Sequence, residues 1–349
     1  MLRQFRTLAT LLAAMAMTAL FGCGSGSTSA PSGSGSPTDH VTYLTAFGAA
    51  GRDAFAWIAQ EKGYFRDAGL DVDIELGKAT GENLKALAAG RAQFAALDLT
   101  GAMISAGAKG GKGYQGFRAV LAIHQQTLVA IMSMKSSGIT TPEDLAGKRI
   151  AAAANSVNQL LFPGYARLAG IDASGVRWVA VQPVQLGSTL ASGKVDALST
   201  FLIGRPTIEK ATLAAKQQTV DVLPYSTYLP DLFGNAVVTT QGLAAKNPDL
   251  VKRFREAMRR ALVYTVQHPD EAGALLHAKH PETVAALATQ EIELMTPSVT
   301  AQGTGSAIGL ITLDRATRAI TSLREAGLVG TGMRPQDVVD FDAMPTGKG

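Results

Sequence analysis

The strongest constraint on this chain is a repeat inside it. Ala68-Gly69-Leu70-Asp71 is echoed by Ala169-Gly170-Ile171-Asp172. Leu87-Ala88-Ala89-Gly90-Arg91-Ala92-Gln93-Phe94 is echoed by Leu190-Ala191-Ser192-Gly193-Lys194-Val195-Asp196-Ala197. Both echoes fall roughly 100 residues downstream, at nearly equal spacings, which argues for two related units. The surrounding pattern agrees. In the first unit, strands are expected at Val41 to Phe47, Asp71 to Leu76 and Ala92 to Leu97, and helices at Asp53 to Lys62 and Glu82 to Ala89. In the second, Lys148 to Ala153 and Val176 to Val181 read as strands around a helix at Gln159 to Leu168. Each unit is then a βαβαβ arrangement with right-handed crossovers and a mostly parallel sheet flanked by helices, an α/β fold of two lobes.

Two further apolar strands, Leu128 to Met134 and Ala236 to Thr240, sit where the chain would pass between lobes. The second lobe is therefore expected as an insertion, residues 135–234. The first lobe would comprise 40–134 and 235–349, completed by a helical C-terminal third in which Leu250, Phe254, Met258 and Leu262 form an apolar stripe. A length of 349 residues suits two such lobes, and 46% hydrophobic with 17% charged residues suits a folded α/β protein.

The first forty residues read as an address. Arg3 and Arg6 precede an apolar run from Leu8 to Phe21 that is short for a membrane span and suits a signal peptide over residues 1–22. The run ends in Leu20-Phe21-Gly22-Cys23, which resembles a bacterial lipobox, although Phe21 is bulkier than the usual occupant. Cys23, the sole cysteine, is then the lipidation site, and the Gly, Ser, Thr and Pro of residues 23–39 form a flexible tether to the outer face of the membrane. Of the 32 basic residues, Arg3 and Arg6 lie in the removed segment, so basic side chains nearly balance the 28 acidic ones. That balance gives no electrostatic case for a nucleic-acid partner.

At this point the residues resemble a known family. Ile58-Ala59-Gln60-Glu61-Lys62-Gly63-Tyr64-Phe65 with Ala68-Gly69-Leu70-Asp71-Val72 is similar to the opening signature of ABC-importer solute-binding proteins for sulfonates, nitrate, taurine and thiamine-pyrimidine precursors. Leu190 to Ala197 resembles their second signature. Asn247-Pro248-Asp249-Leu250-Val251 and His268-Pro269-Asp270-Glu271-Ala272 resemble their C-terminal pattern. The resemblance implies the type II periplasmic-binding-protein-like fold, two lobes closing on a small solute, and an ABC permease with its ATPase as partners. A ligand-sensing ectodomain of the same fold is the alternative.

In open α/β sheets, ligands sit beyond the carboxyl ends of the strands, where helix starts present free N–H groups. Four corners qualify. Phe47 to Asp53 offers the Phe47 ring, Arg52 and Asp53. Asp98 and Leu99 follow a buried strand. Asn155, Ser156 and Asn158 cluster small polar groups at a helix start. Phe201, Gly204 and Arg205 precede Pro206. Gln125, Gln126 and Asn235 add amides at the crossovers. Asp98 is equally suited to capping the next helix; capping is also the alternative for Asp53, Asn155 and Ser156, and a surface position for Arg205. Phe47 and Phe201 with the amides fit a small aromatic heterocycle; Arg52, Arg205 and the helix starts fit a sulfonate or nitrate.

Nothing in the chain carries a case for catalysis. His277 and His280 have a spacing that metals use, without an obvious third ligand, and His124 reads as a packing residue. No Gly-x-Ser-x-Gly elbow or P-loop occurs, and Gly107 to Gly116 lacks the Lys-Ser/Thr ending. A pyrimidine synthase of yeast shares the resembling fold, but depends on a cysteine-rich motif and a reactive histidine that this chain lacks. No cofactor, metal or catalytic residue is expected.

Overall fold

The structure, a computed structural model, describes residues 38–107, 115–154, 156–300 and 308–344. The expected signal segment, Cys23, nearly all of the tether and Asn155 lie outside the described residues. In chain order the strands are β1 (Asp39–Leu44), β2 (Leu70–Glu75), β3 (Phe94–Asp98), β4 (Phe117–Ala122), β5 (Val129–Met134), β6 (Arg149–Ala152), β7 (Arg177–Ala180), β8 (Ala197–Phe201), β9 (Val220–Pro224) and β10 (Asn235–Thr240). The helices are α1 (Ala54–Glu61), α2 (Tyr64–Asp67), α3 (Thr80–Ala88), α4 (Leu99–Gly107), α5 (Val157–Ala169) and α6 (Leu186–Ala191). They continue with α7 (Arg205–Lys216), α8 (Gln241–Lys246), α9 (Pro248–Gln267), α10 (Pro269–Lys279), α11 (Ala285–Thr300) and α12 (Leu313–Glu325).

These strands form two five-stranded sheets of one design. The first runs β2-β1-β3-β10-β4 and the second β7-β6-β8-β5-β9. In the first, β1 is parallel to β2 and β3, while β10 is antiparallel to β3 and β4. In the second, β6 is parallel to β7 and β8, while β5 is antiparallel to β8 and β9. Four strands of each sheet thus share a direction and one opposes them. The opposing strand is in each case the first strand after the chain crosses over.

The sequence repeat has a direct conformational cause. Gly69 and Gly170 adopt φ of 66° and 75°, and Gly90 and Gly193 adopt 70° and 72°. All four end a helical turn in the left-handed region, where a Cβ is disfavoured, and feed the chain toward a strand. Equivalent glycines recur because equivalent helix stops recur.

One boundary differs from the sequence reading. The first lobe was expected to run through Met134, but β5 hydrogen-bonds between β8 and β9 in the second sheet. Its first five residues are buried, and such a run is stable only with sheet neighbours and cover on both faces. The chain therefore leaves the first sheet over residues 123–128 and returns over 225–234. The two crossovers are cross-linked: Thr127 N–H donates to Leu232 O at 2.7 Å, and Gly234 N–H to His124 O at 3.2 Å.

Helices cover the first sheet. α9 starts with Pro248, and Asn247 caps it by accepting from Leu250 N–H at 3.2 Å. Its expected stripe is buried, and Phe254 stacks on Phe94 of β3 with centroids 3.9 Å apart. α12 reaches the crossovers instead. The buried Arg315 donates to Gln125 O at 2.5 Å and lies over the Phe233 ring, 4.9 Å from its centroid. No helix among the described residues is long and apolar enough to cross a membrane.

Candidate functional site

A cavity of about 1070 Å³ opens where the strand ends of the two sheets face each other. From the first sheet's side it is walled by Phe47, Arg52, Thr80, Asp98, Ser105, His124 and Asn235, and from the second's by Ser156, Asn158, Leu186, Ser199 and Phe201, among others. Seven of the residues singled out in the sequence are thus brought together: Phe47, Arg52, Asp98, Ser156, Asn158, Phe201 and Asn235.

Others are placed elsewhere. Asp53 sits fully buried behind the wall, where its Oδ1 accepts from Ala46 N–H at 2.9 Å and shapes the β1 corner. Leu99 is buried in the core. Gln125 turns its amide nitrogen to Leu310 O at 2.8 Å, and Gln126 is half-buried outside the lining. Arg205 pairs with Glu209 one turn along α7, at 3.1 Å, and neither it nor Gly204 lines the cavity. An i,i+4 carboxylate partner is the ordinary fate of an arginine in a helix's first turn.

The electrostatics of the wall are set by burial. Arg52 lies 3.2 Å from the Asp53 carboxylate and donates to Phe47 O at 3.0 Å. Glu291 of α11 accepts from Gly51 N–H at 2.6 Å. Burial pushes both carboxyls up, and the Arg52 charge pulls each back down. Arg52 is thus already compensated before any ligand arrives.

His124 accepts from Asn235 N–H through Nδ1, at 3.2 Å. Burial, with the Arg52 charge adding to it, lowers the ring to about 3, so it is neutral. A neutral ring accepting at Nδ1 carries its proton on Nε2, and that nitrogen has no partner. Asp98 is the converse. Its Oδ1 accepts from Gly101 N–H at 2.6 Å, while its buried Oδ2 has no partner. Burial pushes this carboxyl up to about 6, against the opposing pull of the Gly101 hydrogen bond. A Cβ on Gly101 would lie 3.2 Å from Oδ1, so the glycine makes room for the carboxylate. On the opposite wall Ser156 holds the N-cap position of α5 without a capping bond, and its buried Oγ has no partner. Native folds rarely leave such groups orphaned.

Sequence reasoning missed Thr80, Ser105, Ser199 and the role of His124. Thr80 opens α3 after β2, a fifth strand-to-helix corner of the same kind. Ser199, Thr200 and Phe201, consecutive at the end of β8, all line the cavity, and the Ser199 hydroxyl donates to Ala130 O of β5 at 3.0 Å. His124 carries no local signal, because its partner Asn235 is remote in sequence.

Comparison with known proteins gives a consistent result. Riboflavin-binding protein RibY of Chloroflexus aurantiacus is 24% identical over 250 residues, covering 70% of this chain and 68% of that protein. The formylaminopyrimidine-binding protein of Halalkalibacterium halodurans is 24% identical over 240 residues, covering 68% and 70%. Among solved structures, the periplasmic aliphatic sulphonate binding protein SsuA of Escherichia coli superposes with a TM-score of 0.69 at 19% identity, over 90% of this chain and 96% of that one, which is a likeness of fold. The family described as NMT1/THI5 like matches residues 53–272. That span is more than half of the chain and holds both copies of the repeat and most of the cavity wall, so the chain belongs to the NMT1/THI5-like family.

Proposed function

We propose that this chain is the extracytoplasmic solute-binding component of an ABC import system, tethered to the membrane by a lipid on Cys23. The two sheets with their helices act as lobes, hinged at residues 123–128 and 225–234. The permease and its ATPase would then be its partners. Closure needs a ligand that contacts the closed arrangement better than the open one. Side chains from both sheets wall one cavity, which is what such a ligand requires.

The solute is a planar organic heterocycle rather than nitrate or a sulfonate. One observation carries this: Arg52, the cationic side chain among the described lining residues, is already compensated by Asp53 and Glu291. A cavity of about 1070 Å³ is also far larger than nitrate needs, and Phe47 and Phe201 line it from the two sides. The relatives named for riboflavin and formylaminopyrimidine support the same class. A binding rather than catalytic role is supported by His124, whose low basicity makes it a poor general base at neutral pH.

A thermal-shift titration of the purified protein tests this. Riboflavin, formylaminopyrimidine, alkanesulfonates and nitrate are compared, each at a hundredfold excess over a dissociation constant measured by calorimetry. A bound ligand then stabilises by about 2.7 kcal/mol. Stabilisation by a ring compound is expected; stabilisation by nitrate or a sulfonate alone overturns the ligand class. Separately, Cys23→Ala is expected to move the protein from the membrane fraction to the soluble fraction of the producing cells, and retention in the membrane removes the lipid anchor.

A further inference from the structure

The ladder between β1 and β3 pairs Tyr43 with Phe94 and Leu44 with Ala95. One residue further toward the cavity a side chain takes over. Asn83 of α3, fully buried, donates through Nδ2 to Thr45 O, just past β1, at 2.9 Å and to Ala96 O of β3 at 2.8 Å. Its Oδ1 accepts from Lys78 N–H at 3.2 Å, so the amide nitrogen and the amide oxygen are both in use. The buried Thr45 carries the connection into the corner. Its Oγ1 donates to Gly48 O at 2.7 Å and accepts from Gly77 N–H at 3.0 Å, while Gly48 N–H donates to Gly77 O at 2.9 Å. A Cβ on Gly77 would overlap Thr45 O, so this close approach needs a glycine. Neither Asn83 nor Thr45 lines the cavity, but Phe47, between Thr45 and Gly48, does, and so does Thr80 at the start of α3.

We infer that Asn83 is a positioning residue for solute binding: it fixes the Phe47 corner against β3 and the start of α3 without itself touching the cavity. The reason lies in where the strand ladder stops. Past Leu44 and Ala95 the buried carbonyls of Thr45 and Ala96 still need donors. A side-chain amide carried on a helix supplies both in one geometry, and its third bond ties the β2–α3 connection to the same point. An apolar side chain at position 83 would leave two carbonyls and one N–H without partners, and the corner would shift to satisfy them. Phe47 is half exposed, so the place of its ring is set by the backbone of the corner more than by packing. The inference rests on the solute-binding role proposed above and holds for either class of solute.

The test compares Asn83→Leu with the unsubstituted whole protein in two ways. Amide hydrogen exchange without ligand reads the corner directly. Gly48 N–H is expected to exchange about tenfold faster in the variant, while the amides of β10, in the same sheet, change by less than about threefold. A general loss of stability would speed both alike. Calorimetric titration with riboflavin reads the consequence. Asn83→Leu is expected to weaken binding about fivefold, but by less than about twofold when Phe47→Ala is already present, because the residue acts through that ring. Thr45→Val, nearly isosteric, removes the Oγ1 bonds to Gly48 and Gly77 and is expected to give the same exchange and coupling pattern; it carries the test if Asn83→Leu does not fold. Gly48 exchange that is unchanged, or raised no more than that of β10, overturns the inference and leaves the solute-binding role standing. So does a loss of affinity that persists in full in the Phe47→Ala background. Absence of riboflavin binding by the unsubstituted protein counts against the heterocycle reading; hexanesulfonate then replaces riboflavin in the titrations, and the exchange result decides the inference in either case.

Discussion

At the scale of single residues, the site conflicts with the stability of the protein. Asp98 is a buried carboxyl raised from 3.8 to about 6. Thr80 of α3, Gly101 of α4 and Asn235 of β10 adjoin it without charge, and His124 is neutral. Its folded form therefore holds a proton that the unfolded chain has already lost between about pH 4 and 6. The folded state binds more protons there, so this contribution to stability is present below pH 4 and lost as pH rises through 6. A shift of this size is worth roughly 2 to 3 kcal/mol. Urea unfolding of Asp98→Asn and the unsubstituted protein at pH 4.5 and 7.5 checks this. The stability difference is expected to move in the variant's favour by about 2 kcal/mol at the higher pH. Phe47 lies at the opposite extreme, half exposed at the cavity wall. Phe47→Ala is expected to change unfolding stability by less than about 0.5 kcal/mol. It should weaken binding of a ring ligand about tenfold, which a titration reads directly.

Elements inherit their limits from a few backbone positions. Gly170 stops α5 at a φ of 75°, and a Cβ there would meet nothing within 4 Å. Gly170→Ala is thus a nearly pure measure of left-handed strain and is expected to cost about 1 kcal/mol in chemical unfolding, with ligand affinity unchanged. These glycines were legible because the requirement for positive φ is local. Strand membership was not. Val129–Met134 reads as a buried strand from its composition, but nothing within it says which sheet receives it; only pairing with Ser199 and Val222 and their neighbours decides that.

For the whole molecule, the decisive element is the hinge. Arg315 joins α12 to the first crossover through Gln125 O and to the second through the Phe233 ring, with Asp231 4.0 Å away. Arg315→Met keeps much of the stem's packing and removes the hydrogen bond to the crossover. It is expected to destabilise the protein by about 1–3 kcal/mol in chemical unfolding. Small-angle scattering should show a larger radius of gyration for the ligand-free variant, and an unchanged radius would mean that the other crossover contacts suffice.

The sequence by itself determined what depends on neighbours along the chain: the two copies of the α/β unit, the helix stops, the amphipathic face of α9, and the strand-end corners that supply Phe47, Asp98 and Phe201. What only the tertiary structure decided depends on groups remote in sequence. Arg52 reads as a free cation until Glu291, far along the chain, is folded beside its corner. His124 reads as packing until Asn235 takes its Nδ1 and leaves Nε2 as the unpaired donor. Periodicity and capping act over a few residues and leave their mark in a single chain. Burial and charge compensation are properties of assembled surfaces, and the residues that make them are adjacent only after the sheets have formed.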